Sequence, residues 1–173
     1  MKILLVTNAG PAYKKLMIKE LENISQSSEI TVVTTYENVK YDDFDIIISN
    51  PPFFKINENV NFLNNLKQLS IARHEVEIDL DELIKIASEL VKDRGYFYLV
   101  HRVDRLSEIL NILQKYKFEA KKIKFCYTTK YKNAKILLIE AIKNGKSGLT
   151  ILPPLIINKE NGEYTDEVLK MFE

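Results

Sequence analysis

The stretch Phe44-Asp45-Ile46-Ile47-Ile48-Ser49-Asn50-Pro51-Pro52-Phe53 decides how this chain is read. Its first six residues are short and rich in isoleucine, as a strand buried on both faces requires. The double proline then stops the strand, because proline cannot donate to a ladder and restricts the residue before it. On one reading Asn-Pro-Pro is sound turn chemistry that only ends a strand. On the other it is a built site. An aromatic amine is a poor nucleophile, since its lone pair is delocalised into the ring. Acceptors that hold both of its N–H bonds favour a localised lone pair. The Asn50 amide oxygen and the Pro51 carbonyl are two such acceptors, and Pro52 holds that carbonyl in one direction. Phe53 offers a ring on which an extruded base can stack, worth about 1–3 kcal/mol per base. No general base is needed before a transfer of this kind, and the motif contains none.

Upstream, Lys2–Thr7 is an apolar strand followed by Asn8-Ala9-Gly10-Pro11, where glycine permits a turn and proline suits a first helical position. Leu16, Met17, Ile18 and Leu21 recur at helical spacing within 12–24, and the β-branched run 29–35 reads as a strand. Downstream, 55–65 reads as an exposed, asparagine-rich loop. Asp79 and Glu82 form a capping-box pattern for a helix running to about Lys92, and Gly95 is expected to separate it from a strand 96–101. A helix over 104–116 would face Leu106, Ile109, Leu110 and Leu113 inward. Segments 118–128 and 134–142 predict an antiparallel hairpin. The tail 149–157 is apolar and broken by prolines, and 165–172 suggests a last short helix.

Strands alternating with helices predict an α/β fold, an open and mostly parallel sheet with helices on both faces and an antiparallel C-terminal hairpin. Ligands in such sheets bind beyond the carboxyl ends of the strands. Asn8-Ala9-Gly10 and Asn50-Pro51-Pro52-Phe53 both follow strands directly, so both are expected at that crevice.

The chain of 173 residues suffices for one domain with a core, and its hydrophobic and charged content is that of a soluble globular protein. No apolar run reaches the length that spans a bilayer, so no membrane partner is expected. The opening Met1–Val6 is too short for a signal-peptide core and reads as a buried strand. A lone Cys126 points to a reducing, cytoplasmic setting and to a small buried side chain. Two histidines and one cysteine argue against zinc, and no metal is expected. The net charge is only +1, but lysines crowd between Lys115 and Lys146, including Lys122 and Lys124. Such a run is either a phosphate-holding face or a solvated lysine surface.

Several stretches together resemble a known family. They are Ser49-Asn50-Pro51-Pro52-Phe53-Phe54, Ala72-Arg73-His74-Glu75, His101-Arg102-Val103-Asp104-Arg105-Leu106, Leu138–Lys146, Leu152-Pro153-Pro154-Leu155 and Glu160–Thr165. From about Asp43 to the C-terminus the chain is similar to the bacterial valine-tRNA adenine-N6 methyltransferases. The resemblance implies a Rossmann-like methyltransferase fold, S-adenosylmethionine as cofactor and tRNA as partner, with transfer to the exocyclic amine of an adenine in an anticodon loop. It implies that Asn50, Pro51, Pro52 and Phe53 hold the target base. Phe54, Arg73, His74, Arg102, Arg105, Lys122 and Lys124 are then expected to contact the RNA. Read as structure alone, Arg73 would pair with Glu75 or Glu77, and His101 would pack its ring at a strand end.

The resemblance weakens before Asp43. A cofactor loop of this family normally begins with an acid and carries several glycines, whereas Thr7-Asn8-Ala9-Gly10 has one; Glu37 is the nearest acid beyond the second strand. The interval between Gly10 and Asn50 holds one helix and one strand where the family has another strand–helix unit. The chain is therefore expected to be a single domain over 1–173, with a divergent cofactor side in 1–42 and a family-like catalytic and RNA-binding part in 43–173. The damaged glycine loop leaves open a catalytically inert RNA-binding relative. The Asn-Pro-Pro-Phe geometry leaves open a methyltransferase acting on a protein glutamine amide.

Overall fold

The computed structural model describes residues 1–7, 29–33, 43–51 and 79–171. Eight strands form one sheet in the order β2-β1-β3-β4-β6-β5-β7, with β8 also paired to β5. Strands β2 (Glu29–Val33), β1 (Lys2–Thr7), β3 (Phe44–Asn50) and β4 (Val91–Arg102) run parallel to one another. Strand β5 (Phe118–Tyr127) lies two positions beyond β4, and β6 (Ala134–Lys143) inserts antiparallel between them. The alternation of elements thus gives the expected α/β sheet with its antiparallel hairpin.

The apolar runs explain the centre of the sheet. Ile3, Leu4, Leu5 and Val6 are all buried, as consecutive residues of a strand can be only when both faces are covered. Helices α1 (Leu80–Leu90) and α2 (Leu106–Lys115) cover one face. Leu80, Leu83, Ile84, Ala87 and Leu90 of α1 join Ile109 and Leu113 of α2 against Leu4, Val6, Ile47, Phe97, Leu99, Leu137 and Ile139. The Phe97 and Phe118 rings meet at 5.3 Å within this layer. Leu106 and Leu110, expected inward, are only partly buried at its margin.

Three local expectations are corrected. Asp79 stands at the N-cap of α1 but makes no side-chain capping bond. The first turn is instead tied by Asp81, which accepts from Lys115 Nζ and the Tyr116 hydroxyl, each at 2.6 Å. Gly95 does not separate helix from strand. Strand β4 starts at Val91, directly after α1, and Gly95 lies inside it. Phe44 faces Val91 while Ile46 faces Tyr96, so the residues between bulge, with Arg94 at φ 62°. A Cβ on Gly95 would lie 2.6 Å from Val91 Cγ2 and 3.0 Å from the carbonyl oxygens of Asp45 and Lys92. Asp45 closes the same corner: its carboxylate accepts the Lys2 N–H at 2.7 Å and pairs with Lys92 Nζ at 2.8 Å, joining three strands.

The third correction concerns the tail, which is more ordered than its prolines suggest. Strands β7 (Thr150–Ile151) and β8 (Leu155–Ile156) both add in parallel to the outer edge of β5. A second apolar cluster of Cys126, Leu155 and Val168 holds β8 on the face away from α1 and α2, whereas both residues of β7 are exposed. The last helix, α3 (Asp166–Leu169), is shorter than expected and is capped by the Thr165 hydroxyl. The helix expected over 12–24 and the loop over 55–65 lie outside the described residues.

Replacing Gly95 with alanine is expected to lower stability by about 1–3 kcal/mol, because two of the crowded atoms are backbone. A chemical denaturation curve measures this; a midpoint equal to wild type would show that the bulge tolerates a side chain.

Candidate active site

Parallel pairing brings three strand ends to one edge. Thr7 of β1 lies in register with Asn50 of β3, and Ser49 lies in register with Leu99 of β4. The edge therefore gathers Thr7, Asn50-Pro51 and His101-Arg102. Arg102 also faces Ile136 near the start of β6, so the β5–β6 turn emerges at the same edge. Asn50 and Pro51 are half-buried at the end of the strand. Ser49 Oγ beside them is fully buried and has no hydrogen-bond partner among the described residues. A buried hydroxyl without a partner costs about 1–3 kcal/mol, so this end of the sheet holds an unmet polar demand.

His101 is almost wholly buried at the end of β4. Its Nδ1 accepts the Arg102 backbone N–H at 2.8 Å. Burial holds its pKa below the ordinary value, and the nearby Arg105 pushes it the same way. Burial therefore favours the neutral ring, which packs at the end of the strand.

The arginines are already engaged. Arg102 forks onto Asp104 through Nε at 3.1 Å and through Nη2. Arg105 forks onto Glu108 at 2.7 and 2.5 Å. Bidentate pairs of this kind orient a guanidinium strongly, so a phosphate reaching Arg102 or Arg105 must compete with a carboxylate. On the face away from α1 and α2, a groove of about 420 Å³ runs over Ile48, Tyr98, Val100, Leu138 and Leu152. Its polar element is a chain of three groups. The Tyr98 hydroxyl donates to Glu140 at 3.1 Å, and Lys122 Nζ pairs with the same carboxylate at 3.0 Å. Burial, reinforced by the Glu140 charge, pushes the Tyr98 phenol up to about 12. Lys124 at the groove margin pairs with Glu167 of α3 at 3.1 Å.

Among the expected site residues, the structure thus brings Thr7, Asn50, Pro51 and Arg102 to one edge. Arg105 stands just beyond that edge at the start of α2, and Lys122 and Lys124 line the groove on the far face. Asn8, Ala9, Gly10, Glu37, Pro52, Phe53, Phe54, Arg73 and His74 lie outside the described residues. The Tyr98–Glu140–Lys122 chain was not foreseen; only the hairpin register, which sets Lys122 opposite Glu140, reveals it. Among the described residues no group of His, Cys, Asp and Glu could hold a metal ion, and no helix is long and apolar enough to cross a membrane.

This sheet, with its site at the carboxyl edge, is that of the Rossmann-like methyltransferases. A solved structure from Agrobacterium tumefaciens described as a predicted O-methyltransferase superposes with a TM-score of 0.62, covering 98% of this chain and 87% of that one at 17% identity. A candidate class I S-adenosylmethionine-dependent methyltransferase from Listeria monocytogenes gives 0.56, with 99% and 62% covered at 14% identity.

The sequence matches are narrower. The chain is 32% identical over 133 residues to a Porphyromonas gingivalis (strain W83) protein named tRNA1(Val) (adenine(37)-N6)-methyltransferase, covering 75% of this chain and 50% of that protein. A protein of the same name from Aliivibrio salmonicida is 28% identical over 134 residues, covering 74% and 52%. No protein-family model matches the chain. The chain is a sequence relative of the tRNA1(Val) (adenine(37)-N6)-methyltransferases and spans about half the length of the curated relatives it matches.

The buried His101 makes a prediction for pH. Its native pKa lies below the unfolded value, so on acidification the unfolded chain takes up a proton that the native form refuses. Stability is expected to fall as pH drops below about 6.5, by at most about 1.4 kcal/mol per pH unit from this one group. In His101→Gln that part of the slope is expected to vanish. Urea midpoints at pH 7.5 and 5.5 for both proteins measure it; an unchanged difference between the two pH values in the variant would contradict it.

Proposed function

We propose that this chain transfers a methyl group from S-adenosylmethionine to the exocyclic N6 amine of an adenine in tRNA. The observation that carries the reading is the placement of Asn50-Pro51 at the end of β3, in register with the end of β1, in a methyltransferase sheet. The names of the sequence relatives supply the substrate class.

On this reading, the Asn50 amide oxygen and the Pro51 carbonyl accept the two N–H bonds of the adenine amine. Holding both hydrogens in one direction turns the nitrogen lone pair toward the crevice and localises it, which the conjugated amine resists in water. Pro52 fixes the carbonyl, and Phe53 provides a plate for the base. A loop base is already partly unstacked, so its extrusion costs less than it would from a duplex. The cytoplasm, where tRNA is found, is the matching compartment.

S-adenosylmethionine would supply the methyl group from the crevice between the ends of β1 and β3. What the described residues offer there fits such a group. Strand β1 ends at Thr7 beside Asn50, directly before Asn8-Ala9-Gly10, and the unpartnered Ser49 hydroxyl stands next to that junction. Glu37 would take the ribose hydroxyls. Residues 1–42 would then form the cofactor side and 43–173 the base and RNA side of one domain.

The test is Asn50→Ala assayed for labelled methyl transfer into a tRNA transcript. A loss of about 100-fold or more is expected, as for removal of one preorganised polar group, with the circular dichroism spectrum unchanged. A wild-type rate in this variant would refute the role given to Asn50.

A further inference from the structure

Two of the lysines on β5 already have acid partners. Lys122 and Lys124 are matched by Glu140 and Glu167, and Lys115 by Asp81. At the β5–β6 turn the pattern changes. Lys130 and Lys132 of the turn and Lys135 at the start of β6 are exposed, and no carboxylate lies within ion-pair distance of them among the described residues. Between the first two stands Tyr131, 77% exposed, the most exposed of the large hydrophobic side chains described. Lys130 Nζ lies 5.9 Å from the centre of its ring.

An isolated exposed tyrosine carries little meaning. This one is held in place. Lys132 N–H donates to the Thr129 carbonyl at 3.2 Å, closing the turn. The tail braces its base, with Ile157 N–H bonded to the Tyr127 carbonyl and Asn158 N–H to that of Thr128, both at 2.8 Å. The turn also stands at the right edge, because β6 starts opposite the end of β4. Two to three strand spacings separate it from Asn50 across the sheet, roughly 10–15 Å. Asn50 is level with Leu138, and β6 starts at Ala134, roughly 13 Å further along the strand, so the two lie on the order of 20 Å apart, the span of a few nucleotides.

From this placement we infer that the β5–β6 turn is a second contact for the substrate RNA. Tyr131 stacks on an unpaired base flanking the target, while Lys130, Lys132 and Lys135 neutralise the adjoining phosphates. This rests on the reading of the chain as a tRNA methyltransferase and adds where the RNA is held outside the base pocket. A protein partner fits the turn less well, since an exposed aromatic between unpaired cations is suited to a stacked base on a polyanion.

Fluorescence anisotropy with an end-labelled tRNA transcript, at several salt concentrations, tests it. Tyr131→Ala is expected to weaken binding roughly 5- to 100-fold, and Tyr131→Phe to stay within about twofold of wild type. The double variant Lys130→Ala, Lys132→Ala is expected to reduce the slope of log affinity against log salt by about 1–2. Wild-type affinity in Tyr131→Ala would overturn the inference while leaving the methyltransferase reading intact. A loss in Tyr131→Phe as large as in Tyr131→Ala would overturn the stacking role. Absence of tRNA binding by the wild-type protein at any salt would remove the underlying reading as well.

Discussion

Parallel pairing of β1 with β3 is the constraint on which the site depends. Because Thr7 and Asn50 are neighbours in register, the chain leaves both strands at the same place on the sheet edge. A slip of one residue would move every side chain of β3 to the opposite face and carry Ile47 out of the core. The register is defended by that penalty. Ile47 and Val6 are buried against the helices, and Asp45 ties β3 to Lys2 on one side and to Lys92 on the other. The position of two oxygen acceptors is thus fixed by hydrophobic burial and by a carboxylate at the far end of the same strand.

The ion pairs among the described residues brace the scaffold. Asp45–Lys92, Asp81–Lys115 and Glu108–Arg105 each join elements or cap a turn. On the groove face, Glu140 collects both the Tyr98 hydroxyl and Lys122, so a carboxylate among apolar side chains is compensated. At the β5–β6 turn, Lys130 and Lys132, with Lys135 at the start of β6, have no acid within ion-pair distance among the described residues. Near-neutral overall charge therefore coexists with a local cationic edge beside the crevice.

Much of this was legible in the sequence, for identifiable reasons. Residues 2–7 and 44–49 were readable because strands buried on both faces need unbroken apolar runs, and α1 and α2 because their buried residues recur at helical spacing. The end of β3 at Asn50 was readable because proline cannot donate to a ladder. The corrections share another origin. Gly95 resembles a helix terminator locally, but its role is set by pairing with Asp45 and Phe44, far away in the chain. The tail strands exist because β5 has an outer edge to receive them. Likewise the lysine run looked continuous because its acids, Asp81, Glu140 and Glu167, come from α1, β6 and α3.

The proposed transfer sets one chemical requirement, a purine amine held by Asn50 and Pro51. The most direct measurement is a crystal structure of the chain with S-adenosylhomocysteine and an adenine-bearing tRNA fragment. The expected result is an adenine N6 within about 3.2 Å of both Asn50 Oδ1 and the Pro51 carbonyl oxygen. A base bound elsewhere, with Asn50 turned into hydrogen bonds with the protein itself, would contradict it.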